Sequence, residues 1–118
     1  AATIVLSVHS FTPSLYGQPR PWHVGLMYGQ DRRLAAAFLD AFSSERDLVV
    51  GDNEPYHVTD ASDYGVPVYA ERPGRLGLLL EIRQDLIGNP EGARRMAEIV
   101  AKVGLSALDR LSPNDQSL

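Results

Sequence analysis

The chain has 118 residues, of which 44% are hydrophobic and 22% charged, and it contains no cysteine. This composition is typical of one globular domain, and without thiolates a bound metal ion would be held by His, Asp or Glu. The net charge is -4 and the basic residues are dispersed, which argues against nucleic acid as a partner. No apolar run approaches the roughly 20 residues that cross a bilayer, and the N-terminus has no secretory signal, so we expect a cytoplasmic protein outside the membrane.

The first predicted element is an apolar strand close to the N-terminus. Residues 3–8 (TIVLSV) are almost continuously apolar, a pattern typical of a strand buried on both faces, so we expect a central strand of a parallel sheet. The chain starts in this strand without a polar lead-in, which favours a fragment of a larger domain. Residues 10–29 then combine prolines, glycines and aromatic residues, and so long a connection in a compact domain is usually functional or disordered.

Two amphipathic helices are predicted from the spacing of apolar residues. Leucine and phenylalanine recur at four-residue spacing in the first, which is expected from residue 32 to about residue 44 with Asp31 as its cap. Asn89 caps the second helix, which begins with a proline and covers residues 90–111. Gly104 is expected either to end or to kink this helix before it continues.

Three further strands are predicted between and after these features. Residues 47–50 (DLVV) predict a short strand that is closed by the turn-forming residues 51–53 (GDN). Residues 66–70 are expected to form a short edge segment, because the proline within them cannot donate to a ladder. Residues 76–82 form the second strongly apolar strand.

Strands that alternate with helices predict a single α/β domain over residues 1–111 with a mainly parallel sheet, and a flexible tail over residues 112–118. Ligands of open α/β sheets bind at the carboxyl ends of the strands. The first strand ends at His9, and the last apolar run ends at Glu81, with Arg83 two residues later on the same face. If the two strands are neighbours, imidazole and carboxylate converge.

Each of these residues has a catalytic and a structural interpretation. A carboxylate at the end of an apolar strand loses hydration, which raises its pKa toward that of a general base, and Glu81 fits such a proton shuttle. The alternative is an ion pair between Glu81 and Arg83 or another arginine. His9 is either a metal ligand or a hydrogen-bonded histidine that closes the strand. The structural role is favoured by the pattern alone, because no second ligand stands at helical or hairpin spacing.

The remaining polar candidates are more ambiguous. His23 in the long loop either binds substrate or stabilises the loop, and His57 is expected to be solvated. Residues 51–56 (GDNEPY) combine a turn with amide, carboxylate and phenol groups, which suits either polar substrate binding or a self-capped turn.

Four sequence strings, in their order and spacing, resemble the N-formylglutamate amidohydrolase family. The similarity extends from about residue 5 to about residue 103. The strings are residues 9–13 (HSFTP), 17–25 (GQPRPWHVG), 51–56 (GDNEPY) and 81–87 (EIRQDLI).

The resemblance implies a fold, a reaction and a metal. The expected fold is a three-layer α/β/α arrangement with a mainly parallel or mixed sheet, as in zinc exopeptidase-like hydrolases, of which this chain would supply the C-terminal part. The implied reaction is hydrolysis of an N-acyl amide such as N-formyl-L-glutamate, which releases formate and glutamate in histidine degradation. His9 would be a ligand of Zn²⁺, and Glu81 the catalytic base that activates water and then protonates the departing nitrogen.

Substrate-binding residues are also implied. Arg83 and Arg20 are expected to bind the substrate carboxylates, because guanidinium pairs with carboxylate through two hydrogen bonds. Asn53, Glu54 and Tyr56 are expected to orient the amide or the groups around it.

Two features depart from the family. Tyr69 stands near a position where members typically carry a His, and the family's other zinc ligands, a His and an acidic residue, lie upstream of the segment present here. A catalytic zinc needs about three protein ligands. Two alternatives therefore stay open: a non-catalytic α/β module that binds a small anion or a protein partner, and an amidohydrolase with a different N-acyl substrate.

Overall fold

A computed structural model describes residues 4–55 and 74–111. The predicted edge segment at residues 66–70 and the predicted tail at residues 112–118 lie outside this part of the chain. None of the described helices is long and apolar enough to cross a membrane. In chain order the elements are β1 (Ile4–Phe11), β2 (Ser14–Leu15), β3 (Gln18–Pro19), β4 (Val24–Met27), α1 (Arg33–Phe42), β5 (Val50–Asp52), β6 (Leu76–Arg83), a 3-10 helix (Gln84–Ile87) and α2 (Pro90–Arg110).

The central sheet has four strands in the order β1-β6-β4-β5. Strand β1 runs parallel to β6, and β4 runs parallel to β5. The two pairs meet where β4 and β6 run antiparallel, so the sheet is mixed. This arrangement confirms the predicted α/β class and places the carboxyl ends of β1 and β6 side by side.

Strand β1 forms where the apolar run predicted it, but its surroundings differ from the expectation. Among the described strands it is the outer strand on its side of the sheet. Leu6 is 40% exposed and Val8 is 54% exposed, whereas a central strand would bury both. Strand β1 therefore has the sequence of a strand buried on both faces, yet Leu6 and Val8 are exposed in this part of the molecule.

Strand β4 lies within the segment that the sequence predicted as an irregular loop. All four of its residues are buried, and it separates β6 from β5 at the centre of the sheet. It was missed because it is short, is interrupted by Gly25 and follows three prolines.

Strands β2 and β3 form a hairpin with a two-residue turn. The turn residues Tyr16 and Gly17 both have positive φ, 51° and 75°, and the backbone twist of such turns matches the twist of the two strands.

Both helices pack on one face of the sheet, where they enclose the main core. Helix α1 begins at Arg33 and not at residue 32, and its N-cap is Arg32, which makes no side-chain capping bond, so the prediction of Asp31 as the cap is wrong. Asp31 Oδ1 nevertheless accepts a hydrogen bond from the backbone N–H of Arg33 at 3.1 Å. Asn89 accepts from Gly92 N at 2.8 Å and caps α2, as predicted. Helix α2 continues through Gly104 to residue 110 without ending there. The described residues thus supply the sheet and one helical layer of the predicted three-layer fold.

Candidate active site

The site is organised by a row of four residues that crosses the sheet. His9 is paired with Glu81 across the parallel ladder, Glu81 with Gly25, and Gly25 with Gly51. Residues paired in register point to the same face of a sheet. This face is the one opposite the helices. The register places the imidazole of His9 and the carboxylate of Glu81 at neighbouring positions, as predicted.

Glu81 is a buried carboxylate inside this row. It is 1% exposed, and its Oε2 atom has no hydrogen-bond partner among the residues that the structure describes. Burial raises the pKa of Glu81 above its ordinary value, while the nearby His9 and Arg20 oppose the rise. An unpaired carboxylate oxygen in the interior lowers the free energy of unfolding. Such unpaired buried groups are characteristic of sites where the group is needed for chemistry.

The ion pair between Glu81 and Arg83 does not form. Arg83 instead binds Asp85 through Nε and Nη2, at 2.7 and 3.1 Å, and this pairing lowers the pKa of Asp85. Its Nη1 donates to the carbonyl of Arg20 at 3.1 Å and lies 3.5 Å from that of Trp22. Arg83 therefore fastens the long loop to the end of β6, and its predicted contact with substrate stays a prediction.

His9 is exposed at the open end of the row. Its Nε2 lies 3.1 Å from Ser7 Oγ, which is two residues earlier on the same face of β1. Such a hydroxyl can fix the orientation of an imidazole that binds a metal ion. Among the described residues, however, no group of three His, Cys, Asp or Glu side chains could hold a metal ion.

Arg20 extends the positive charge at this end of the sheet. Its Nη1 lies 3.3 Å from both the carbonyl and the Oγ1 of Thr12, and its guanidinium stacks 5.6 Å from the centre of the Phe11 ring. Its charge partly opposes the rise in the pKa of Glu81 that burial causes. Arg20 is therefore close enough to the row for its charge to act on Glu81.

The two glycines of the row leave room for the chain that follows β5. A Cβ on Gly25 would lie 2.3 Å from the carbonyl oxygen of Glu54 and 3.0 Å from Pro55 Cδ. A Cβ on Gly51 would lie 2.7 Å from Glu54 Cβ. Real side chains do not reach such distances, so Gly25 and Gly51 allow residues 53–55 to lie directly on the sheet beside Glu81.

Asn53 fixes this turn from both its backbone and its side chain. It has a positive φ of 57°, a conformation that Asn tolerates better than most residues. Its backbone N–H donates to Leu26 O at 2.8 Å, and its Oδ1 accepts from Tyr28 N at 2.9 Å. These bonds tie the turn to the end of β4. Glu54 has an exposed side chain, and Tyr56 lies outside the described residues, as do His57 and Tyr69.

His23 stabilises the loop in this structure. Its Nδ1 accepts from Val49 N at 2.8 Å, and its backbone N–H donates to Val49 O at the same distance. Its carbonyl oxygen accepts from Arg83 N at 2.9 Å. The structural interpretation of His23 is therefore supported, and its predicted contact with substrate is untested.

Sequence reasoning missed a polar cluster on the far side of the turn. Tyr28 Oη donates to Asp52 Oδ1 at 2.7 Å, and Arg32 binds both Asp52 and the Tyr28 hydroxyl. Desolvation acts to raise the pKa of Asp52, but the hydrogen bonds of Arg32 and Tyr28 outweigh it and the pKa is lowered. The cluster holds β5, the start of α1 and the end of β4 together. No local pattern reveals it, because its members are distant in sequence.

Comparison with known proteins identifies the family. The sequence model for N-formylglutamate amidohydrolase matches residues 1–88. The chain belongs to this family. This chain is similar to a gene product from Agrobacterium tumefaciens whose crystal structure is known. The two share 31% sequence identity and superpose with a TM-score of 0.87, and the similarity covers 93% of this chain and 43% of that protein. The chain thus spans less than half the length of that relative. No curated protein matches it.

The N-formylglutamate amidohydrolase match includes the whole of the row described above. His9, Gly25, Gly51 and Glu81 all lie within the matched residues. An exposed imidazole beside a buried carboxylate with an unpaired oxygen fits one ligand of a zinc ion and an adjacent base. The described residues therefore fit part of a zinc site, and further ligands would come from outside them.

Proposed function

We propose that the protein hydrolyses the amide bond of a small N-acyl amino acid, with N-formyl-L-glutamate as the first substrate to test. The observation that carries this proposal is Glu81, a buried carboxylate with an unpaired oxygen, held beside His9 by strand register. Its raised pKa brings it closer to the range in which a carboxylate both accepts and returns a proton.

Glu81 is the proton carrier of the proposed reaction. Its carboxylate takes a proton from the attacking water as the water oxygen bonds to the acyl carbon. The C–N bond then breaks, and Glu81 returns the proton to the departing nitrogen. For N-formyl-L-glutamate the products are formate and glutamate, which would place the protein in histidine degradation, a cytoplasmic process.

Zinc is the proposed cofactor, as in zinc carboxypeptidase-like hydrolases. His9 and ligands from outside the described residues would hold it, and when bound it supplies Lewis-acid activation of water and of the carbonyl. The protein's own contribution is to keep Glu81 dry, since residues 54–55 cover the row where Gly25 gives them space.

Substrate recognition is proposed to rely on the positive charge above β1 and β6. Arg20 is best placed to bind a substrate carboxylate, because its described hydrogen bonds use one terminal nitrogen and are long at 3.3 Å. Arg83 and His23 contribute mainly by holding the loop that carries Arg20. Asn53, Glu54 and Tyr56 are proposed to border the substrate amide.

The test combines metal content with formate release. We expect near-stoichiometric zinc in the intact protein and formate release from N-formyl-L-glutamate, with both lost in His9→Ala. Asp47→Asn, at an exposed residue in the turn between α1 and β5, is the control and should retain both. Parallel assays with N-acetyl-L-glutamate distinguish a different acyl substrate. A protein that is metal-free and inactive on both substrates would contradict the proposal and favour the binding module.

A further inference from the structure

The chain crosses from one face of the sheet to the other at the end of β5. Asp52 pairs in register with Leu26, whose side chain is buried in the main core, so the Asp52 side chain lies on the helical side of the sheet. Two residues later, the carbonyl oxygen of Glu54 packs against Gly25 on the opposite face, where the row lies. Asn53 makes the crossing with its positive φ of 57°. Contacts that fix Asp52 and Asn53 therefore also fix Glu54 on the row.

Tyr28 holds both residues of this crossing. Its backbone N–H donates to Asn53 Oδ1 at 2.9 Å, and its hydroxyl donates to Asp52 Oδ1 at 2.7 Å. The backbone N–H of Asn53 donates in turn to Leu26 O at 2.8 Å. These three hydrogen bonds join the turn to the end of β4, and two of them come from a single residue.

Arg32 adds a charged contact from the start of α1. Its Nε donates to the Tyr28 hydroxyl at 3.0 Å and its Nη2 donates to Asp52 Oδ2, so each of the three side chains bonds to the other two. Its guanidinium also lies 5.9 Å from the centre of the Tyr28 ring. Because α1 is packed on the sheet through its buried side chains, the cluster connects the turn to a rigid element.

The exposure of the cluster indicates that it does more than stabilise the fold. The side chains of Arg32 and Asp52 are 52% and 39% exposed, and exposed ion pairs contribute little to stability. Strand β5 is also already paired with β4 through its backbone. What depends on the cluster is the position of the residues that follow Asp52, which pack against Gly25 beside Glu81.

We propose that Tyr28, Arg32 and Asp52 are positioning residues for the hydrolysis. From the helical side of the sheet they hold residues 53–55 in place, and residues 54–55 keep water away from Glu81 on the other side. Small displacements at a catalytic group are costly, since a shift of about 1 Å can lower a rate about 100-fold. The inference rests on the proposed function, in which Glu81 carries the proton.

The test uses two variants of the cluster in the intact protein. Tyr28→Phe removes the hydroxyl but keeps the backbone bond to Asn53, and Asp52→Ala removes the acceptor of both Tyr28 and Arg32. Formate release from N-formyl-L-glutamate gives kcat and KM. Hydrogen exchange at the Tyr28 and Asn53 amides, which donate the bonds that hold the turn, reports whether it stays in place.

Both variants should lose turnover and not substrate binding. We expect kcat to fall roughly tenfold or more, with KM within about twofold of the wild type, because Arg20 lies outside the cluster. The two amides should exchange roughly tenfold faster. Since both substitutions break the same contact, the double variant should lose little more activity than Asp52→Ala alone.

Asp40→Ala is the matched control, because Asp40 forms another exposed ion pair of α1, with Arg110 at 2.6 Å. It should leave kcat and the exchange of both amides unchanged. Faster exchange at normal kcat in the cluster variants would show that the cluster supports only the fold, and unchanged exchange would show that it does not hold the turn. Either result would overturn the proposal. A wild type that releases no formate would contradict the proposed function instead, and exchange in the variants would still decide whether the cluster holds the turn.

Discussion

His9 on β1 and Glu81 on β6 are direct partners in the parallel ladder, so their side chains project from the same face of the sheet at neighbouring positions. Glu81 is buried there with an unpaired Oε2, whereas His9 is exposed. The pair therefore joins a dry carboxylate to an imidazole that is accessible to a ligand. That asymmetry suits the roles proposed for them, Glu81 as the base and His9 as a ligand of the metal ion.

Replacing Glu81 by Gln should abolish most of the activity. The amide keeps the shape of the side chain but cannot carry the proton, so we expect kcat to fall by roughly 10²- to 10⁴-fold with little change in KM. Glu98→Gln, on the exposed side of α2, is the control for loss of a glutamate. Steady-state formate release measures both. Near-normal kcat in Glu81→Gln would place the base elsewhere.

The same substitution should change how stability depends on pH in the metal-free protein. The pKa of Glu81 is raised in the folded state above its ordinary value near 4.5, so above that pH the folded state binds more protons than the unfolded state. The free energy of unfolding therefore falls as pH rises from about 4.5 through the folded pKa. Glu81→Gln should remove this decrease and be more stable than the wild type at neutral pH. Urea unfolding between acidic and neutral pH tests this, and parallel profiles would contradict it.

The parts of this site that the sequence predicted were those encoded by long local patterns. The apolar runs predicted β1 and β6, and their ends located His9 and Glu81. The other half of the row was missed, because Gly25 lies in a four-residue strand and its role depends on Glu54, which is distant in sequence. Local patterns do not contain such contacts, and tertiary packing decides them.

Gly25→Ala should disturb the site by steric conflict. The new methyl group would meet the carbonyl oxygen of Glu54 at 2.3 Å, and Met27 Sδ and Pro55 Cδ at 3.0 Å. Overpacking of this kind costs about 1–3 kcal/mol of stability, and moving residues 54–55 should also admit water to Glu81 and lower kcat.

Gly104→Ala is the matched comparison for that variant. Its new methyl group would lie 3.8 Å from Phe38 Cζ, an ordinary contact, within helix α2. Alanine is favoured over glycine in a helix by about 0.5–1 kcal/mol, so this variant should be more stable than the wild type. Thermal unfolding and formate release on both variants make the comparison. Equal behaviour of the two would show that Gly25 is not a point of close approach.

The two arginines near the site should respond differently to substitution by lysine. Arg20→Lys loses paired binding of a carboxylate, and we expect KM for N-formyl-L-glutamate to rise roughly 10- to 100-fold, with a smaller effect on N-formyl-L-glutamine. Arg83→Lys breaks the bonds to Asp85 and to the Arg20 carbonyl, and should cost about 1–3 kcal/mol of stability. Kinetics with both substrates and urea unfolding separate the roles. A selective rise in KM for Arg83→Lys at normal stability would instead support the predicted contact of Arg83 with substrate.

Asn53 allows the backbone and side-chain contributions of the turn to be separated. Its positive φ costs most other residues about 1–2 kcal/mol, and its Oδ1 accepts a hydrogen bond from Tyr28 N. Asn53→Asp keeps the acceptor, Asn53→Gly keeps the conformation, and Asn53→Ala loses both. We expect stability to decrease least for Asp, more for Gly and most for Ala, measured by urea unfolding. If kcat falls in the same order, the turn positions residues 54–55 over Glu81; if kcat is unchanged while stability falls, the turn supports the fold without shaping the site.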